Sequence, residues 1–161
     1  MHSIVREAES ADVALLVELM QRAHADAGFA LDRELARVTF CALLSDRNSG
    51  IAWVALRDQK PEGYIVVTLK LSMESGGRDA FIDDLFVCQN ARRKGVGCAL
   101  VSAAFTECRR IGVCCVHVET GIDDQGAQAF YARCGLKNRG HTLLTRTLGD
   151  NPIARRMERQ A

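Results

Sequence analysis

The run AFIDDLFVCQNARRKGVGCAL, residues 80–100, decides how the rest of the chain is read. Residues 80–87 are apolar and rich in strand formers, interrupted only by Asp83 and Asp84. A polar turn over 89–94 follows. Gly95 and Gly97 then open a segment in which Leu100, Val101, Ala104, Phe105 and Cys108 fall on one helical face, with Glu107, Arg109 and Arg110 elsewhere. Ile111–Gly112 ends it. Residues 113–118 form a second β-rich run about 25 residues on, far enough for a helix to lie between two parallel strands.

Working outward, residues 4–6 suit a first strand. Ser10 or Asp12 starts a helix over about 11–27, with Val13, Leu16, Val17, Met20 and Ala27 at helical spacing. A second helix is predicted over 32–44, with Leu35, Val38 and Leu43 inward. Asn48-Ser49-Gly50 is a turn. Residues 51–56 and 64–71 make an antiparallel hairpin around a turn at 58–63, and 72–78 is a loop carrying Gly76–Gly77. Beyond the crossover, Ala127, Phe130, Tyr131 and Cys134 mark a short helix that Gly135 caps, and residues 143–148 form a closing strand. The order β, α, α, β, β, β, α, β, α, β predicts a mixed sheet with helices on both faces. One domain is expected over 1–149, with a short C-terminal tail over 150–161, where Pro152 opens a polar stretch.

Composition narrows the function. The chain has 161 residues, enough for one core. Its net charge of +1 leaves no electrostatic footprint for nucleic acid or an anionic membrane. No apolar stretch is long enough to span a bilayer. The polar, acidic residues after Met1–Arg6 do not suit a signal peptide. Seven cysteines lie mostly in apolar runs without C-x-x-C pairs, so they are expected to be buried, reduced thiols of a cytoplasmic protein. Four scattered histidines give no metal pattern, and no metal is expected.

The glycine-bearing turn at the head of the helix suits a phosphate group. A helix N-terminus leaves its first amides unpaired and carries partial positive charge. Gly95 and Gly97 let a pyrophosphate approach the backbone. Arg92, Arg93 and Lys94 add charge that an outer phosphate could meet. The nucleotide P-loop requires Lys-Ser/Thr after its last glycine, where Cys98 stands, and the dinucleotide fingerprint fails at Leu100.

The R-x-x-G-x-G run after a strand ending in Leu85, Phe86 and Val87, with AFYARCGL downstream, resembles the acetyl-CoA motif of GNAT N-acetyltransferases. The likeness spans residues 4–148 and is strongest over 80–136. It implies an α+β (mixed α/β) GNAT fold, a central twisted sheet of about six or seven strands flanked by about four helices. It also implies acetyl-CoA as cosubstrate. Its pyrophosphate would meet backbone amides from Arg93 through Lys94, Gly95, Val96 and Gly97 to Cys98. Its pantetheine arm would lie between the strand ending at Val87 and that over 113–118, pairing with backbone at Leu85 to Val87. A backbone N–H near Val87 would polarise the thioester carbonyl.

The same resemblance makes Tyr131 the proton donor to the departing thiolate, since a tyrosine of this motif sits near the CoA sulfur. The family pattern N-x-x-A-x-x-x-Y is matched at Ala127 and Tyr131, but Asp124 stands in place of the Asn that contacts the cofactor arm. An ionised Asp accepts and does not donate.

Asp83 and Asp84 are costly inside an apolar strand unless they serve a purpose. Neighbouring strand residues face opposite ways, so one should face the acceptor cleft unless a bulge re-aims both. The pair would attract an ammonium and relay its proton. The strand is similar to the Y-L-E-D-x-Y-V strand of polyamine acetyltransferases, and its Asp84 to the single Asp of aminoglycoside 3-N-acetyltransferases. Both imply a small cationic amine as acceptor. Glu74, in the loop before the strand, would add negative charge at the acceptor mouth. His117 and Glu119 share a face of the later strand, with a catalytic role the lesser reading. The alternatives are acetylation of protein N-termini or lysines, and a non-catalytic acyl-CoA-binding module. A homodimer is expected by analogy, paired along the closing strand.

Overall fold

The computed structural model describes residues 3–146 and 148. Strand β1 spans Ile4–Glu7, and a single 3-10 turn, Ser10–Asp12, leads into α1, Val13–Asp26. Helix α2 follows over Arg33–Ser45. Then come β2 (Gly50–Arg57), β3 (Lys60–Ser72), β4 (Gly77–Val87), α3 (Val96–Arg110), β5 (Val113–Val118) and α4 (Gln125–Arg133). The strands lie in the order β1-β2-β3-β4-β5. The first four are antiparallel neighbours, and β5 runs parallel to β4, joined to it by a crossover through α3.

The mixed sheet, its flanking helices and the parallel final pair match the expected fold class. Four details differ. The sheet has five strands among the described residues, because 143–146 and 148 form no strand; Leu143, Leu144 and Leu148 are exposed. The strand expected to join two protomers is therefore absent from that stretch, and the tail over 150–161 lies outside the described residues. On α2 the inward residues are Ala36 and Phe40, while Val38 is 49% exposed. Val38 sits two residues from each of them, on the far side of a 3.6-residue turn. The β2–β3 turn is only Asp58–Gln59, both with positive φ, as a twisted two-residue hairpin demands, and β3 begins earlier than expected. The cysteines are all unpaired, but only Cys88 and Cys108 are buried; Cys41, Cys98 and Cys114 are exposed because they fall on the outward phase of their elements.

The two faces of the sheet are set by register. Cross-strand partners share a face, so Tyr64, Val66, Thr68 and Lys70 of β3 lie with Phe86, Asp84, Phe81 and Asp79 of β4. Phe40 of α2 meets Tyr64 edge-on with ring centroids 6.2 Å apart, which places α2 over this face. Val87 lies on the opposite face, against the start of α3 at Gly97. The phase changes within β4: Val66 pairs with Asp84 but Val67 pairs with Ile82, so Asp83 is an extra residue, a β-bulge. Without it Asp84 would share the α3 face with Ile82.

Candidate active site

The β4–β5 ladder runs from Arg78↔Val113 to Ile82↔Val118 and stops there. Beyond it, residues 83–87 have no strand on that side among the described residues. The bulge at Asp83 stands where the two strands part. The gap is bounded by the end of β4, the start of α3 and α4, whose Phe130 ring lies 3.3 Å from where a Cβ on Gly97 would stand.

The head of α3 follows its sequence. Gly95 is the N-cap with φ of 85°, a left-handed conformation that glycine takes without penalty. Arg93 also has positive φ, 62°. No side chain caps the helix, and the first amide to bond within it is that of Ala99, to the Gly95 carbonyl at 3.0 Å. The earlier amides of the turn, at Val96, Gly97 and Cys98, are thus left for another acceptor. Gly97 is hemmed in by Phe130, and any larger residue there would press into the gap.

The basic residues divide. Arg92 turns away from the turn: its guanidinium pairs with Asp26 of α1 at 2.8 Å and donates to the Val87 carbonyl at 2.9 Å. Lys94 donates to the Asn90 carbonyl at 2.8 Å. Arg93 is exposed beside the uncapped amides. Asp124 is occupied locally as the N-cap of α4, accepting from the Ala127 amide at 2.8 Å. Such a cap stabilises a helix by about 1 kcal/mol, and an Asn would serve there as well as the Asp.

Asp84 is half-buried and accepts a hydrogen bond from the Tyr64 hydroxyl, which is itself fully buried. Burial pushes the Asp84 carboxyl above its ordinary range, and the neighbouring Asp83 adds to this; the Tyr64 bond and His24 oppose it. Asp83 is exposed. Tyr131 of α4 is half-buried, its ring edge-on to Phe130 at 5.0 Å. Burial, then the charge of Asp84, pushes its hydroxyl up to about 12. That the charge of Asp84 is felt at Tyr131 is consistent with α4 lying near the bulge.

Glu74 is not brought there. It is exposed in the turn before β4, and Gly77 to Asp84 alone spans roughly 20 Å of strand. Tyr64, missed in the sequence, reads there as one more strand aromatic; only the register shows that it reaches Asp84. Among the described residues no group of His, Cys, Asp and Glu is arranged to hold a metal ion, and no helix is long and apolar enough to cross a membrane.

Residues 15–136 match the family described as acetyltransferase (GNAT) family. The chain belongs to the GNAT acetyltransferase family. A solved integron cassette protein from the mobile metagenome of Cole Harbour Salt Marsh is 39% identical, with TM-score 0.85 over 93% of each chain. A possible acetyltransferase from Clostridium difficile 630 superposes with TM-score 0.81 at 19% identity, over 92% of this chain and 99% of that one. An aminoglycoside acetyltransferase from an uncultured soil metagenomic sample, in complex with sisomicin, gives 0.78 at 22% identity, over 91% and 97%. These last two share the fold. No curated protein matches the sequence.

Membership in the GNAT family implies acetyl-CoA as the cosubstrate. The residues suit it: an uncapped helix N-terminus with Gly95 at its N-cap and Gly97 in its first turn, and with exposed Arg93 nearby, offers the donors and charge that a phosphate group takes.

Proposed function

We propose that this GNAT domain transfers the acetyl group of acetyl-CoA to a primary amine of a small cationic molecule, by direct attack in a ternary complex. The observation that carries the reading is the bulge at Asp83, which sets two carboxylates where β4 and β5 part. A carboxylate pair at that point attracts an ammonium and orients it.

In this reading the amides of Val96, Gly97 and Cys98, with Arg93, hold the pyrophosphate, and backbone at Leu85 to Val87 borders the arm. When bound, acetyl-CoA supplies an acyl group activated as a thioester. Tyr131 keeps its hydroxyl proton throughout the neutral range, because burial and Asp84 raise it to about 12, and is the proton donor. Asp84 on the sheet face and exposed Asp83 form the acceptor's anionic site. Polyamines, amino acid derivatives and aminoglycosides offer such amines.

Thiol release from acetyl-CoA, measured against polyamines, aminoglycosides, amino acids and short peptides, tests the reading. Turnover with a small cationic amine that falls in Asp84→Asn supports it. Turnover with peptides alone would move the assignment to protein acetylation, and acetyl-CoA binding without turnover would make the domain a non-catalytic binder.

A further inference from the structure

We propose that His117, held by Asp79, takes the proton from the acceptor's ammonium group. The inference rests on the small-amine reading above and adds the base that reading lacks.

The geometry begins with a shared face. Phe81 pairs with His117 across the β4–β5 ladder, one step before the strands part, and Asp79, Phe81 and Asp84 lie on the same side of the sheet. Phe81 and Asp84 are three residues apart on β4, roughly 10 Å along the strand. His117 keeps a third of its side chain exposed, so a ligand in that space can reach it.

The orientation of the imidazole is specified from two sides. The Phe81 ring stacks on it, with centroids 4.9 Å apart and planes 29° apart. Behind it, His117 Nε2 lies 3.1 Å from Asp79 Oδ2, which also accepts from the Ser75 hydroxyl at 3.1 Å. Asp79 is only 3% exposed, and its Oδ1 has no partner. A buried carboxylate with an orphaned oxygen is costly, and its retention calls for a use. Burial alone would raise Asp79, but the bonds from His117, Ser75 and Ser72 outweigh it and hold the carboxyl below its usual range, so it is charged. A charged carboxylate only accepts. In the neutral ring the proton therefore stands on Nε2, and the lone pair is on Nδ1.

Asp84 suits a different task. One of its oxygens is taken by Tyr64, which fits it to hold a cation. Imidazole is the side chain type that ordinarily titrates nearest neutral pH, the best match for a base. In the step, an N–H bond of the ammonium breaks and an Nδ1–H bond forms, directly or through one water. The electron pair stays on the amine nitrogen, which becomes the nucleophile. The imidazolium is stabilised by Asp79 and returns its proton to solvent along the exposed edge. Among the described residues, the charged and titratable groups placed on this face about His117 are Asp79 of β4, bonded to it, Asp84 farther along β4, Lys70 of β3, whose ammonium lies 4.8 Å over the Phe81 ring, and Cys115 of β5 itself. Asp79 is a positioning residue.

The test uses His117→Gln, His117→Ala and Asp79→Asn, each checked for an unchanged melting temperature and acetyl-CoA affinity. With the best small amine, His117→Gln is expected to lower kcat at neutral pH on the order of 100-fold, remove the acidic limb of the kcat/KM profile and leave KM for acetyl-CoA unaltered. Added imidazole should restore part of the activity of His117→Ala. Independently of turnover, two-bond proton–nitrogen NMR should show His117 as the Nε2–H tautomer in the wild type and a loss of that preference in Asp79→Asn. Full activity and an unchanged pH profile in His117→Gln, or an Nδ1–H tautomer in the wild type, would overturn the inference and leave the small-amine reading standing. A wild-type chain that binds acetyl-CoA but turns over no small amine would overturn both.

Discussion

The Tyr64 hydroxyl donates a hydrogen bond to the Asp84 carboxylate, diagonally across the β3–β4 ladder, from a position with no solvent exposure. A buried phenol needs such a partner, and a half-buried carboxylate needs such a donor. The bond ties the interior of the domain to the point where β4 and β5 part. Tyr64→Phe is therefore expected to raise the acceptor KM about tenfold with a smaller effect on kcat, and to cost about 1–3 kcal/mol of stability by stranding the carboxylate. Steady-state kinetics and denaturant melts check this; unchanged values in both would separate Tyr64 from the site.

Asp84 also sets a pH dependence. Its native carboxyl is raised by burial above its unfolded value, so its favourable contribution is present below the unfolded value and is lost as pH rises through the native one. The stability of the wild type should thus fall relative to Asp84→Asn as pH is raised from about 4. Asn keeps an oxygen for Tyr64 and carries no charge. Thermal melts of the two proteins across pH decide it, and a gap that runs the other way would show that Asp84 is not strained by its charge.

Tyr131 stays protonated over the working range, with its hydroxyl at about 12. Tyr131→Phe removes that proton and little else. Its kcat should fall about 10- to 100-fold, while the acetyl-CoA Kd stays within about twofold. Isothermal titration beside steady-state rates separates the two quantities, and an unchanged kcat removes Tyr131 from proton transfer.

Gly95 and Gly97 should fail differently. A Cβ on Gly95 meets nothing within 4 Å, but its φ of 85° makes Gly95→Ala a strain substitution of about 1 kcal/mol. Gly97 has ordinary φ, but a Cβ there stands 3.3 Å from the Phe130 ring, so Gly97→Val should weaken acetyl-CoA binding at least tenfold by filling the gap. Equal acetyl-CoA Kd values for Gly97→Val and wild type would argue against the amides of this turn as the phosphate site.

Far from the site, Arg6 grips Asp12 with two bonds of 2.7 Å, and Asp12 also accepts from the Glu9 amide. The guanidinium bond leads in holding Asp12 below the usual carboxylate range, against its burial. A depressed carboxyl contributes stability above its unfolded value and loses it as pH falls. Asp12→Asn should cost about 1–3 kcal/mol at pH 7, discounted because Arg6 is partly exposed, and almost nothing near pH 2. Parallel urea melts at the two pH values test it.

The sequence by itself determined the order of elements as far as α4, the βαβ crossover, and the glycine-led helix start, because each rests on local periodicity or on a backbone need that only certain residues meet; the closing strand expected over 143–148 is absent among the described residues. Gly95 at an uncapped N-terminus and Gly135 with φ of 94° after α4 are such cases. The inward face of α2 differs from the expectation at Val38, which stands two residues from both Ala36 and Phe40 and so on the opposite side of the turn. What only the tertiary structure decided depends on register. The alternation rule puts Asp83 and Asp84 on opposite faces, and a single inserted residue, invisible in composition, re-phases the strand so that Asp84 meets Tyr64 and shares a face with Phe81 and His117. The bond between Asp79 and His117 spans 38 positions of chain and two strands, and Arg92 turns to Asp26 across 66. No local propensity encodes such partners; they follow from which strands pair, in what register, and where the ladder stops.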